Sequence, residues 1–97
     1  MFLKFHRSPG LPDVLAVCDA ELLNTTLKKG DVKVQVSESF YGNLRVTEEE
    51  VKEALKKAEN INLMGERAVA LAIGAGLASR ADCIMIGTVP HVQIYRL

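Results

Sequence analysis

The chain has 97 residues, 48% hydrophobic and 25% charged, and its 12 basic side chains are balanced by 12 acidic ones. That length supports one domain, 1–97, with a single modest core, while the neutral balance excludes a bulk field that draws the whole chain to nucleic acid or acidic lipid. With no tryptophan, two tyrosines and three phenylalanines, there is little material for a large base-stacking platform.

In chain order, Phe2 to Arg7 reads as a strand closed by the breaker-rich loop Ser8-Pro9-Gly10-Leu11-Pro12, and Asp13 to Cys18 as its hairpin partner. Asp19 is a good N-cap for a short helix over 20–23. Lys29-Gly30-Asp31 predicts a turn and Val32 to Val36 an alternating strand, followed by a connector over 37–42 whose Phe40 and Tyr41 plug the edge of the core. Leu44 to Val46 suggests a further short strand. Thr47 and Glu50 form a capping box flanked by Val46 and Val51, and Val51, Ala54, Leu55 and Ala58 make one apolar stripe on the helix that follows.

After Asn60 to Asn62, a second helix is predicted from Gly65 to Ala75, ended by Gly76 in a left-handed conformation. Its small apolar residues predict burial or a subunit contact, which admits a homodimer. Cys83 to Ile86 reads as a strand, Gly87 to His91 as a turn, and Val92 to Arg96 as a last strand. Hairpins at both ends around a helix pair predict an α+β two-layer sandwich, with a mixed, largely antiparallel sheet and helices packed on one face. Cys18 and Cys83 are expected reduced and buried, in a cytoplasmic chain with no secretory signal at its start. The apolar run over 68–78 is too short to cross a bilayer, so no membrane is expected as a partner.

Chemistry concentrates in Asn62-Leu63-Met64-Gly65-Glu66-Arg67. A helix start presents free N–H groups to an anion, Gly65 permits close approach, and Arg67 offers a guanidinium fork. The structural alternative is that Asn62 or Gly65 caps the helix and Glu66 complements its dipole. His91, after Pro90, is a titratable residue in a predicted turn. Paired with Glu66 it would make a small acid–base enzyme, which requires the two side chains within hydrogen-bond reach. His6, Cys18, Cys83 and His91 lack metal-knuckle spacing, so no metal or cofactor is expected. The phosphate-loop, nucleophile-elbow and zinc-protease motifs are missing from the sequence. Strand parity puts Lys4 with His6, Lys33 with Gln35, and Gln93 with Tyr95. If those faces coincide, they form a polar, mildly basic surface able to contact RNA through phosphates and one stacked base. Lys28 and Lys29 read as solvated charges.

Four segments taken together, Cys18-Asp19-x-Glu21-Leu22-Leu23, Ser39-Phe40-Tyr41-Gly42, Asn62-Leu63-x-Gly65-Glu66-Arg67-Ala68-Val69 and Gly87-x-Val89-Pro90-His91-x-Gln93-Ile94, resemble the archaeal domain of unknown function 424. The resemblance runs nearly end to end and in order. It implies a small, stand-alone, cytoplasmic archaeal protein with an RNA- or translation-associated role and no established enzymatic activity. The family pattern carries Gly-Lys-Thr after the Leu-Leu pair. Asn24-Thr25-Thr26 stands here instead, which withdraws a basic contact at that point. The resulting expectation is a non-enzymatic domain that binds RNA or a ribonucleoprotein. Its surface would comprise Asn62, Gly65, Glu66, Arg67, Pro90, His91, Gln93 and Tyr95. The alternatives are the Glu66/His91 enzyme and an interaction module dimerising through the helix over 66–76.

Overall fold

A computed structural model describes residues 1–96. The first strand, β1 (Phe2–Ser8), turns back through Pro9 and Gly10 into β2 (Leu11–Cys18), and the two pair antiparallel. A two-stranded ribbon follows, β3 (Thr26–Lys29) and β4 (Val32–Gln35), joined through Gly30-Asp31. Next come one turn of helix, α1 (Glu38–Tyr41), and the longer α2 (Glu48–Lys57). The chain then runs through β5 (Asn60–Met64), α3 (Glu66–Gly74), β6 (Ile84–Ile86) and β7 (Val89–Tyr95).

The main sheet has the order β1-β2-β5-β7-β6, and β2–β5 is its parallel pair among antiparallel neighbours. The fold is therefore α+β. Helices α2 and α3 cover one face, where Leu15, Val17, Ile61, Leu63, Val92 and Ile94 from the strands meet Val51, Leu55, Val69 and Ala72. The α2 capping box forms as the sequence requires: Glu50 N–H donates to Thr47 Oγ1 at 3.2 Å, and Thr47 N–H to Glu50 Oε1 at 3.2 Å. At the other end of α2, the Arg96 guanidinium donates to the carbonyls of Leu55 (2.9 Å), Lys56 (3.3 Å) and Ala58 (3.3 Å). Those are acceptors that a helix end leaves unpaired.

The opposite sheet face is only partly open, unlike the bare face expected of a two-layer sandwich. Leu27, Val34 and Val36 from the β3–β4 segment, with Phe40 and Tyr41 of α1, pack on Ala16, Cys18, Met64 and Ile86. This makes a second, smaller core.

Several boundaries differ from expectation, for identifiable reasons. Asn60 to Met64 form the central strand rather than a linker and helix entry. Strand β7 begins at Val89, so Pro90 and His91 lie in a strand and not in a turn. Pro90 is tolerated there opposite the short edge strand β6, where it faces Met85. Leu44 to Val46 contribute an isolated bridge, Phe2 to Arg45, rather than a strand. Among the described residues no helix is long and apolar enough to cross a membrane.

Candidate functional site

The hexapeptide over 62–67 divides at Gly65. Its first three residues end the central strand, and its last two begin α3. Gly65 stands at the helix N-cap with φ 113°, and a Cβ there would lie 2.4 Å from Asp19 Cγ. Glycine is thus required twice over, by backbone conformation and by space. The space is needed because the Asp19 carboxylate is the cap of α3: Arg67 N–H donates to Oδ2 at 3.0 Å and Ala68 N–H to Oδ1 at 2.9 Å. Asp19 is only 3% exposed. It comes from the carboxyl end of β2, forty-eight residues earlier than Arg67, and makes no side-chain bond to the short helical turn after it.

The anion that this helix start is built to hold is therefore the chain's own carboxylate. An exogenous anion finds those N–H groups already occupied. Beside them a recess of about 130 Å³ is lined by Asp19, Glu21, Glu66, Gly65, Val89 and Pro90 among others. It is smaller than ordinary small-molecule pockets, and the charged residues that line it, Asp19, Glu21 and Glu66, are all acids. Arg67 does not project a free fork: its Nη1 pairs with Glu21 at 3.0 Å. Glu66 pairs with Arg80 at 2.9 Å. Asn62 is not a cap. It is buried in β5, where Tyr41 Oη donates to its Oδ1 at 2.7 Å.

Pro90 and His91 do lie beside the hexapeptide. Met64 is the cross-strand partner of His91, and Gly65 N–H donates to Pro90 O at 2.9 Å. His91 Nδ1 lies 2.8 Å from Leu63 O; a carbonyl only accepts, so Nδ1 carries the proton. Glu66 and His91 are thus each hydrogen-bonded elsewhere, to Arg80 and to Leu63 O, and are not bonded to one another. His6, Cys18, Cys83 and His91 do not converge either. Among the described residues no cluster of His, Cys, Asp or Glu has metal-binding geometry, and both cysteines are free thiols.

The strand register lays out the second sheet face in rows. Lys4, Ala16, Asn62 and Gln93 form one row, and His6, Val14, Asn60 and Tyr95 the next. Lys4 and His6 therefore share a face with Gln93 and Tyr95, as strand parity requires. Lys33 and Gln35 belong to the separate β3–β4 ribbon. That ribbon covers the same side of the molecule: Leu27 and Val34 point inward to the second core, leaving Thr26, Lys28, Lys33 and Gln35 on its outer surface. Lys28 and Lys33 are directly opposed cross-strand partners. Neither makes an ion pair among the described residues. A like-charge pair in this position costs stability. Lys28 is solvent-exposed, as its sequence context predicts; its pairing with Lys33 is set by the ribbon closed at Gly30-Asp31.

The open part of the face is short of acids. No strand position that points to this side, in the sheet or the ribbon, is Asp or Glu. Tyr95 is 72% exposed and Gln93 is exposed. His6 stacks on Phe40 with ring centroids 4.7 Å apart and bonds through Nε2 to Phe40 O. Lys4 donates to Ser39 O at 3.0 Å. Arg67 belongs to the helix on the other face, so it does not join His91, Gln93 and Tyr95.

The description "Protein of unknown function (DUF424)" belongs to the family whose pattern matches residues 6–97. No curated protein matches the chain. Among solved structures, an uncharacterized conserved protein from Methanopyrus kandleri is similar, with 34% sequence identity and a TM-score of 0.81. The alignment covers 99% of this chain and 90% of that one.

Proposed function

Starting from the fact that the chain belongs to the DUF424 family of proteins of unknown function, we propose that it is a non-catalytic domain that contacts RNA through the side of the sheet opposite α2 and α3. The observation that carries this reading is the unneutralised Lys28–Lys33 pair, on the same side as exposed Tyr95 and Gln93 and with no carboxylate at any strand position there. A directly opposed lysine pair is an expense to the fold alone and an asset to a surface that meets phosphates. An exposed tyrosine on a strand gives a base a ring to stack on. The reading shifts weight from Arg67, Asn62, Gly65, Glu66 and Pro90, whose polar groups are engaged within the chain, toward Lys28, Lys33, Gln93 and Tyr95, with His91 at the margin.

The test is fluorescence anisotropy with a labelled single-stranded RNA of mixed sequence. Tyr95→Ala is expected to weaken binding about fivefold or more, the scale of one lost base stack. Lys28→Ala and Lys33→Ala are expected to weaken it as well, while Arg67→Ala leaves it unchanged. No binding by the folded wild type, or equal losses in Arg67→Ala and Tyr95→Ala, overturns the proposal.

A further inference from the structure

Apart from the RNA-contacting side, we infer that the outer edge of β1 is a docking site for an extended, basic segment of a partner protein, which joins the sheet as a further strand. β1 is one of the two outer strands of the main sheet. The other, β6, has only three residues, and shortness protects an edge against pairing. β1 has seven, and its edge is covered only at the start. Leu3 N–H donates to Leu44 O at 3.3 Å and Val46 N–H to Met1 O at 2.8 Å. Between α1 and Leu44 the chain crosses over Lys4 at Gly42, so close that a Cβ there would lie 3.0 Å from Lys4 Cβ. Alternation fixes what lies beyond. Leu3 turns its N–H outward, so Phe5 and Arg7 turn theirs outward too, each with its carbonyl. The irregularity between His6 and Ser8 leaves this intact, because the extra residue is on β2: Pro12 and Asp13 both stand between Val14 and Leu11, the partners of those two residues. Among the described residues no backbone group bonds to the main chain of Phe5 or Arg7 on this side. Two donors alternating with two acceptors match an extended main chain, and an antiparallel strand would exchange two bonds with each residue.

The chemistry of that strand follows from what surrounds Phe5. The ring is 36% exposed and lines three recesses along the edge. One, of about 660 Å³, lies between the edge and Ser39, Gly42, Asn43 and Leu44, and gives a main chain room to enter. The other two, of about 440 and 260 Å³, lie toward α2 and the chain that follows it. Their charged residues are Glu49, Glu50, Glu53, Asp13 and Glu59 against one lysine, Lys57. Glu49 and Glu53 also meet Lys52 and Lys56, at 3.4 and 3.0 Å, but exposed pairs of this kind are weak and exchange partners readily. A residue paired with Phe5 points to the same face as Phe5, and so into these acid-lined recesses. An arginine or lysine there lays its stem on Phe5 and Ala54 and its charge among the glutamates. An acidic strand is repelled, and the charge of Arg7 on the edge discourages a wholly apolar one.

The experiment uses a synthetic peptide that alternates arginine with valine, its glutamate–valine counterpart, and the arginine peptide N-methylated at its arginines, the residues whose N–H groups face Phe5 and Arg7. Binding to the 97-residue protein is measured by fluorescence anisotropy, and the site by amide hydrogen exchange in NMR spectra. The arginine peptide is expected to bind about tenfold or more tighter than the glutamate peptide, through charge complementarity. A loss of about tenfold or more is expected on N-methylation, the scale of two missing hydrogen bonds. The arginine peptide should slow exchange at the Phe5 and Arg7 amides, while the Leu3 amide, bonded to Leu44 O, is slow with or without it. Glu53→Lys, at an exposed position, should bring the preference for arginine over glutamate toward one. No binding of the arginine peptide, equal binding of its N-methylated form, or protection that misses Phe5 and Arg7 overturns the inference. Protection that appears in the protein alone as its concentration rises also overturns it, because a second copy then occupies the edge. Glu53 lies on α2, away from the RNA-contacting side, so RNA anisotropy should be unchanged in Glu53→Lys, and either reading can fail without the other.

Discussion

Asp19 and Gly65 act as one unit. The carboxylate fills the start of α3 and the glycine leaves room for it, so the two residues are expected to show strong energetic coupling. Gly65→Ala should cost about 3 kcal/mol, because the new methyl meets Asp19 and the backbone keeps a φ that side chains avoid. Asp19→Gly should cost about 2 kcal/mol through the lost cap. The double substitution should cost less than their sum, since the clash disappears with the carboxylate. Urea denaturation of the four proteins measures this, and simple additivity would remove the mutual explanation. Cys18 makes a second prediction at this scale. Burial, with Asp19 next to it, pushes its thiol up to about 11 from an ordinary value of 9.0. Between these values the unfolded chain has released the proton and the folded one has kept it, so the unfolded state binds fewer protons and stability falls as pH rises. Below pH 9 this group has no effect. The melting temperature should therefore decline between about pH 9 and 11 and decline less in Cys18→Ala, relative to each protein's value at pH 7. Burial also raises the Tyr41 hydroxyl above its ordinary value of 10.0, which adds a loss of the same sign from about pH 10 upward and remains in Cys18→Ala.

At the scale of elements, the parts legible in the sequence are those whose signals are local. The α2 helix carries its capping box, its acids first and its lysines last, and needs nothing distant to be read. The β1–β2 hairpin and the Gly76 turn are similarly self-announced. Strand β5 was not legible because its environment is made by distant neighbours. Ile61 and Leu63 go to the helix face and Met64 to the second core, while Asn62 is polar for the sake of Tyr41, twenty-one positions away. A polar residue satisfied across the fold reads locally as a loop. Asp19 misled in the same way: its type predicts a cap, correctly, but the helix it caps is the third and not the next. For that reason the N–H groups that an anion over 62–67 would use are taken within the chain, and Arg67 is matched by Glu21. Residues on one strand were placed together correctly, Gln93 with Tyr95 and Lys4 with His6, because alternation is local. The Lys28–Lys33 pairing needed the β3 strand, whose four residues are too few to declare themselves beside a helix-like Leu22-Leu23.

For the whole molecule, the question is which charges remain to meet a polyanion when the net charge is zero. The arginines are committed. Arg7, Arg67 and Arg80 pair with Asp13, Glu21 and Glu66, Arg96 closes the end of α2, and Arg45 lies over the Phe2 ring at 5.2 Å. Lys52 and Lys56 are paired along α2. Lys57 at the end of α2 is unpaired among the described residues but belongs to the helix on the other face, and Lys4 is bonded to Ser39 O. On the proposed RNA side the densest positive charge is thereby on the β3–β4 ribbon, in Lys28, Lys33 and the neighbouring Lys29. Polyanion binding that uses only these cations has a bounded salt dependence. Two or three phosphate contacts on a single strand give a slope of log K against log salt of about −1.4 to −2. Lys33→Glu removes one contact and pairs Lys28 internally, so the slope should become shallower by about 0.7 or more. The same substitution turns a repulsive cross-strand pair into an attractive one, so it should leave the fold as stable as wild type or slightly more so. Weaker, less salt-sensitive binding in a protein that melts no earlier is the combination expected. A slope steeper than about −3 would mean that paired arginines are recruited to the phosphates, and the ribbon would lose its place as the source of the charge.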